Sequence, residues 1–349
     1  MTPAAFAIPG DPDRLTGGFL YERRLLSGLR VLGHDVAYLR LPSSFPDPDP
    51  ADMDRAVAML NAVQPARPLI LDGLVSGAID PAGLARVRAP VIAMVHHPLA
   101  LESGLDAARR DHLHRTERAN LALCRHVLVP SPHTRAILTQ RYDVDPERIT
   151  VARPGVDRTR LPRDPATPPL ILSVGILHPR KGHDVLIAAL SLLPDLDWQA
   201  VIVGNPWDSD HAADLHSVIA ASPVAARIRL AGRVGADRLQ RLYARAAIFA
   251  LATRYEGYGI VFDEALLNGL PVVSCRTGAV PDTVPEEAGL LTPPDDPAAF
   301  AAALRALLSD QARHGRMAAA ACRAGHALPG WSDTARIASA VIDRVAEAG

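Results

Sequence analysis

Short apolar runs alternate along this chain with longer segments whose apolar residues recur at helical spacing. The first series of runs falls at residues 4–8, 35–40, 69–71, 91–95, 126–130 and 149–152. Each is short and mainly apolar, so each reads as a buried strand of a parallel sheet. Helical periodicity fills residues 18–32, 51–62, 81–87, 106–123 and 132–140. A second series begins after a proline-rich stretch. Its strands are expected at 170–174, 199–203, 228–231, 248–251, 271–274 and 289–291, and its helices at 183–193, 211–221, 236–246, 262–268 and 297–308. One more amphipathic helix is expected at 331–348. Strand–helix alternation of this kind is the pattern of a doubly wound α/β sheet, and here it occurs twice.

The expected organisation is a first Rossmann-like domain at 1–162, a polar, proline-rich linker at 163–169, a second Rossmann-like domain at 170–330 and a final helix at 331–349. A length of 349 residues suits two domains better than one core. In such an architecture ligands meet the carboxyl ends of the strands, so the residues just after each strand are the ones to search.

Composition narrows the function classes. The net charge of −1 advertises no nucleic-acid partner. No run of about 18 apolar residues marks a membrane span. Met1–Gly10 lacks a basic flank and reads as a first strand rather than a signal peptide. The three cysteines, Cys124, Cys275 and Cys322, lie far apart and without CxxC spacing, which fits reduced thiols in a cytoplasmic protein and core packing rather than metal binding. Helix 106–123 carries Arg109, Arg110, Arg115 and Arg118, a basic face that can rest on an anionic membrane surface; with Asp106, Asp111 and Glu117 among them it reads first as a solvated helix.

One composition detail points to chemistry. Lysines and arginines total 37, yet Lys181 is the only lysine. It follows the first strand of the second series in Ser173-Val174-Gly175-Ile176-Leu177-His178-Pro179-Arg180-Lys181-Gly182. Two adjacent cations after a glycine turn and before a helix suit an anionic ligand, above all a phosphate. Further on, Arg254-Tyr255-Glu256-Gly257-Tyr258-Gly259-Ile260 runs from a strand into a helix that carries Glu264 and is closed by Gly269 and Pro271. The two glycines let main-chain N–H groups approach a phosphate, and the two carboxylates suit sugar hydroxyls. Acidic residues that favour a helix N-terminus are the alternative reading of the pair.

These motifs resemble the retaining GT-B glycosyltransferases of the large group 1 (family 4) class. The likeness rests on Glu256-x7-Glu264 with its glycines, on Gly175…Arg180-Lys181-Gly182, and on Gly232-Arg233-Val234…Tyr243-Ala244-Arg245. The resemblance implies a GT-B fold: two Rossmann-like domains facing a central cleft, with the C-terminal helix crossing back to the first. It also implies that Arg180 and Lys181 hold the diphosphate of a sugar-nucleotide donor. Glu256 would hold the sugar's hydroxyls and Glu264 the ribose. Arg233 and Val234 would lie at the base, and the backbone from Gly257 through Tyr258 and Gly259 to Ile260 at the distal phosphate. Thr16-Gly17-Gly18 corresponds to the class's glycine loop facing the donor phosphates; by itself it is also a plain turn. His96, rather than His97, matches the class's histidine that contacts the donor sugar and helps orient the acceptor. Glu102 and Ser131 are acceptor-side candidates, Ser131 being equally a helix cap.

The expected activity is metal-independent transfer of a hexose from a UDP- or GDP-sugar to a lipid, glycan or small-molecule acceptor, without a cofactor; no DxD motif is present. A nucleotide-sugar epimerase of the same architecture is the alternative, although such enzymes lack the Glu-x7-Glu spacing. A dehydrogenase is disfavoured because no strand is followed by GxGxxG and an acidic residue about 20 positions on. Asn205-Pro206 stands where many of the class carry a small glycine turn.

Overall fold

The computed structural model describes residues 2–11, 17–207 and 209–348. The chain forms two compact units, Met1–Gly155 with Pro329–Gly349, and Val156–Leu328.

The first unit runs β1 (Ala4–Pro9), α1 (Gly17–Val31), β2 (Val36–Leu41), α2 (Pro50–Asn61), β3 (Leu69–Asp72), α3 (Gly73–Ser76), α4 (Pro81–Leu84), β4 (Val91–Met94), α5 (Ala107–Leu123), β5 (His126–Val129), α6 (Pro132–Arg141) and β6 (Ile149–Val151). Its six strands pair in the order β2-β1-β3-β4-β5-β6, each pair parallel. Both faces of the sheet are covered. Ala5, Ala7, Leu69 and Leu71 enter one core cluster, and Ala4, Phe6, Ile8 and Ile70 enter the other. That alternation explains why every residue of β1 is buried.

The second unit runs β7 (Leu170–Val174), α7 (His183–Ser191), β8 (Gln199–Val203), α8 (Ser209–Ala221), β9 (Ile228–Gly232), α9 (Ala236–Arg245), β10 (Ala246–Leu251), α10 (Ile260–Leu267), β11 (Val272–Cys275), α11 (Val280–Thr283), β12 (Gly289–Thr292), α12 (Pro297–Ser309) and α13 (Gln311–Ala327). Its sheet is also parallel, in the order β12-β11-β10-β7-β8-β9. The order turns back between β7 and β10, so the carboxyl ends of these two neighbours carry the turns most suited to a ligand.

The last helix, α14 (Trp331–Glu347), belongs to the first unit. Its Ala335, Ala338, Val341, Ile342 and Val345 join the cluster that holds Leu25 and Leu29 of α1. The two helices meet closely at Gly28, where a Cβ would stand 2.7 Å from that of Ala335.

Two expectations need correction. Residues 163–169 do not form a free linker, because they are hydrogen-bonded along α9 and the start of β10. Arg163 donates to Tyr243 O and Ala246 O at 2.8 and 2.6 Å, and the Asp164 and Ala166 amides donate to Ala244 O and Arg245 O at 3.0 Å each. The prolines keep this segment extended without detaching it. Helix α13 was not expected at all. Its buried face is Met317, Ala320, Ala321 and Gly325, a helical period written almost entirely in small residues. Gly325 is what lets it lie against α10: a Cβ there would come 2.4 Å from Leu266 O.

Candidate active site

In the second unit, the turn after β7 is shaped by three close approaches. A Cβ on Gly204, at the end of β8, would fall 1.8 Å from Gly175 O. Glycine at 204 therefore lets the ends of β7 and β8 come together, even though Asn205-Pro206 replaces the expected glycine turn. His178 caps the single helical turn Pro179–Lys181, its Nδ1 accepting from the Arg180 amide at 3.0 Å. Gly182 then takes φ +62°, with Ala252 O only 1.9 Å from where its Cβ would lie. The left-handed glycine presses the turn against the end of β10 and points Arg180 and Lys181 toward the loop after that strand. His183, fully buried at the start of α7, braces the turn from beneath. Its Nε2 lies 3.3 Å from both Gly175 O and Ile176 O, and burial lowers its pKa to about 4, so it is neutral.

What the two cations meet is Glu256. Lys181 Nζ donates to its Oε1 at 2.5 Å, and Arg180 Nη1 stands 3.7 Å from its Oε2. The Lys181 stem passes over Gly175, 3.4 Å from the position of a Cβ there. Thr253 Oγ1 is 3.1 Å from the same Glu256 oxygen, 3.0 Å from Arg180 O and 3.1 Å from Tyr255 O. Glu256 is only 4% exposed. Burial by itself would raise its pKa, but the charges of Lys181 and Arg180 and the bonds from Lys181 and Thr253 hold it below the usual carboxylate range. Gly278, at φ +52°, completes the loop: a Cβ would collide with Glu256 O at 2.2 Å, the oxygen that accepts from the Ala279 amide.

Gly259, at φ +88°, opens α10. The Tyr258 side chain turns inward, its hydroxyl donating to Asp263 Oδ2 at 2.6 Å, so only its backbone remains for a ligand. Glu264 accepts from the Tyr243 hydroxyl at 2.7 Å. Burial raises the Glu264 pKa, with Asp157 adding to the rise and Tyr243 opposing it. The structure thus joins Glu264 to α9, the helix that follows Arg233 and Val234. Arg233 is exposed, and Val234 packs on the core cluster of this sheet face.

The first unit gathers its own group. Gly18 lies in the first turn of α1 directly over His96, where a Cβ would stand 3.4 Å from the imidazole ring. Gly17 precedes it; Thr16 lies outside the described residues. His96 follows β4. Its Nε2 is 3.6 Å from Glu22 Oε1, and its ring meets that of Tyr21 edge-on at 5.5 Å. Asp72, at the end of β3, completes the set: one ligand-type atom each from Glu22, Asp72 and His96 lie within 4.8 Å of one another. His97 turns away to bond Glu102 at 3.0 Å, so the Glu102 carboxylate is engaged locally. Ser131 is fully buried, and its Oγ accepts from the Thr134 amide at 3.0 Å as the cap of α6. Glu117, counted above with a solvated helix, is instead wholly buried and accepts from the Leu99 amide at 3.1 Å, anchoring the turn after His96 and His97.

Two parallel six-stranded sheets flanked by helices, one in each unit, are the architecture of the GT-B glycosyltransferases. Residues 168–310 match the family described as "Glycosyl transferases group 1", and residues 73–160 match "Glycosyltransferase Family 4". The chain is 30% identical to D-inositol 3-phosphate glycosyltransferase of Corynebacterium glutamicum strain R, over 74% of this chain and 68% of that protein. The protein of the same name from Kineococcus radiotolerans is 32% identical over 62% of this chain and 57% of its own length. Sucrose-phosphate synthase of Thermosynechococcus elongatus superposes over the full length of both chains with TM-score 0.86 at 22% identity. Anabaena HepE, solved in complex with UDP and glucose, superposes over 98% of this chain and 100% of its own with TM-score 0.76 at 17% identity. This chain belongs to the group 1, family 4 glycosyltransferases.

Several of these residues escape a reading of sequence alone. Thr253 and His183 look like ordinary strand-end and helix-start residues. Tyr243 reads as packing because it sits mid-helix. Glu22 carried a usable signal: it lies on the apolar face of α1, four residues after Gly18, where a charge costs free energy unless something meets it.

Proposed function

We propose that this chain is a retaining, metal-independent hexosyltransferase that uses a nucleoside-diphosphate sugar, with a UDP-sugar the first choice. The reading is carried by Arg180 and Lys181, two cations held together by Gly182 and Thr253 against one buried carboxylate. The crystallised likeness with UDP and glucose supports the uridine donor, and the named relatives support a polyol or sugar acceptor.

In this reading the diphosphate replaces Glu256 as the partner of Lys181 and Arg180. Glu256 turns its oxygens to hydroxyls of the donor sugar. Glu264 takes the ribose hydroxyls, and the Gly257–Ile260 backbone takes the distal phosphate. The bond from the sugar's anomeric carbon to the phosphate oxygen breaks as negative charge gathers on the leaving diphosphate. The fixed cations stabilise that charge in the role a metal ion fills elsewhere. The acceptor hydroxyl attacks the same face, and its proton passes to the departing diphosphate, so no side-chain base is required.

Calorimetric titration with UDP, GDP and their glucose and mannose derivatives tests the donor site. Binding of one diphosphate series and its loss in Lys181→Ala is expected; equal nucleotide affinity in that variant overturns the assignment. Release of free nucleoside diphosphate with a panel of acceptors, inositol phosphates and sugar phosphates included, tests transfer.

A further inference from the structure

Within the first unit lies a group that the donor site leaves unexplained. Glu22 is 1% exposed and Asp72 2%, and His96 stands beside them beneath the first turn of α1. Among the described residues, no N–H or hydroxyl group donates to either Glu22 carboxyl oxygen, and His96 Nε2 has no partner in ordinary hydrogen-bond geometry. Buried polar atoms left unmet cost about 1–3 kcal/mol each. One atom each from Glu22, Asp72 and His96 lie within 4.8 Å of one another, so the unmet ones can be satisfied if a proton lies among the three groups. Asp72 is anchored from the other side, its Oδ1 accepting from the Leu74 amide at 2.8 Å as the cap of α3.

We propose that Glu22 and Asp72 are positioning residues for His96. The Asp72 carboxyl donates a proton to Glu22, and Glu22 faces Nε2 of the imidazole, so that the pair sets which ring nitrogen carries hydrogen. When Glu22 is ionised it accepts from Nε2–H, which leaves the lone pair on Nδ1 as an acceptor for a hydroxyl of bound sugar. When Glu22 is protonated it can donate to Nε2, the hydrogen moves to Nδ1, and that acceptor is lost. This rests on the hexosyltransferase reading for the ligand, but not for the tautomer.

The electrostatics agree with the geometry. Burial raises Asp72 well above the usual carboxylate range, and the neighbouring Glu22 raises it further, so it keeps its proton. Burial raises Glu22 to about 7, opposed by the bond from Asp72. Burial also lowers His96, with Asp72 opposing, so its ring stays neutral. Among the described residues, the titratable groups acting on Glu22 from the packed elements are Asp72 at the end of β3, His96 after β4 and Tyr21 beside it on α1, the last raised by burial and by Glu22 and therefore protonated. The switch therefore falls near neutral pH, and the acceptor form lies on its alkaline side.

Nitrogen NMR of the histidine rings in the full chain, with His96 assigned by its absence in His96→Asn, reads the tautomer directly. The expected result is a change from Nδ1–H to Nε2–H as pH rises through about 7. Glu22→Gln should abolish that step. Asp72→Asn, whose amide can still donate to Glu22 and whose oxygen can still cap α3, should keep it. For transfer, kcat/KM should rise through the same pH range in the wild type and in Asp72→Asn. In Glu22→Gln it should be flat and about tenfold lower at pH 8, the worth of one hydrogen bond. A His96 titration in Glu22→Gln identical to the wild type overturns the proposal. So does one-to-one binding of Mn²⁺ or Zn²⁺ that vanishes in Glu22→Gln, which would make the trio a cation site. Absence of transfer with every donor would count against the hexosyltransferase reading alone, because the NMR result stands apart from activity.

Discussion

Glu22 and Glu256 are both glutamates withdrawn from water, one in each unit, and they are driven in opposite directions. Among the described residues, Glu22, 1% exposed, has another carboxyl group, a neutral imidazole and a protonated Tyr21 about it, and burial lifts it to about 7. Glu256, 4% exposed, suffers the same burial but stands against Lys181 and Arg180 and is held low. Burial therefore does not decide whether these carboxyl groups are charged; the presence of a cation within about 4 Å does. The two units use the same side chain differently. In one it holds a proton near neutrality, and in the other it is a fixed anion that keeps two cations in place.

The strongest test is to remove the cation. Lys181→Ala leaves Glu256 buried with Arg180 at 3.7 Å and the Thr253 hydroxyl as its remaining partners. Breaking one side of a buried pair costs about 3–5 kcal/mol. Urea unfolding at pH 7.5 should show a loss of that order. The sign with pH is also set. A carboxylate whose folded pKa is depressed adds stability above its unfolded pKa, and that stability is lost as pH falls through the folded value. In Lys181→Ala the acid limb of the stability curve should therefore move to higher pH. Lys181→Met with Glu256→Gln should recover most of the stability and none of the nucleotide binding. If Lys181→Ala unfolds like the wild type, the contrast between the two glutamates is wrong.

The next test works on the other side of the contrast. Glu117 resembles Glu22: it is fully buried, and burial lifts it to about 8 against the bond from the Leu99 amide. A raised folded pKa reverses the sign. The contribution is complete below the unfolded value of about 4.3 and declines as pH rises toward 8, because the unfolded chain releases the proton more easily. Glu117→Gln keeps an oxygen for Leu99 and has nothing to ionise. Relative to the wild type it should gain about 3.5 kcal/mol between pH 5 and pH 8. Parallel stability curves for the two proteins would mean that Glu117 is ionised in the folded state.

The same contrast explains what was legible in the sequence. Both parallel sheets could be read because strands buried on two faces are continuous apolar runs, as in Leu170–Val174. Arg180, Lys181 and Glu256 stood out because glycines surround them and lysine is otherwise absent. Helix α13 was hidden because its packing face is alanine and glycine, which carry little apolar periodicity. Asp72 was hidden for a different reason: an acidic residue after a strand is the ordinary cap of the next helix, and Asp72 is such a cap for α3. Only the meeting of β3, β4 and α1 gives its second oxygen a partner. Ser131 and Glu102 show the converse, since polar residues after strands drew attention and the structure engages them with Thr134 and His97.

The smallest expected effect is the most discriminating for Glu256. The Thr253 hydroxyl has one proton and three oxygens within reach: Arg180 O, Tyr255 O and Glu256 Oε1, at 3.0–3.1 Å. It can serve one acceptor at a time, so its loss in Thr253→Val removes about one hydrogen bond, on the order of 1 kcal/mol. Lys181 still faces Glu256 at 2.5 Å in that variant, and the carboxylate should stay ionised. The acid limb should then move far less than in Lys181→Ala, and nucleotide affinity should fall only slightly. If Thr253→Val instead matched Lys181→Ala in both measurements, the hydroxyl rather than the ammonium would be what holds Glu256 charged. The difference between the two glutamates would then rest on hydrogen-bond donors and not on cations.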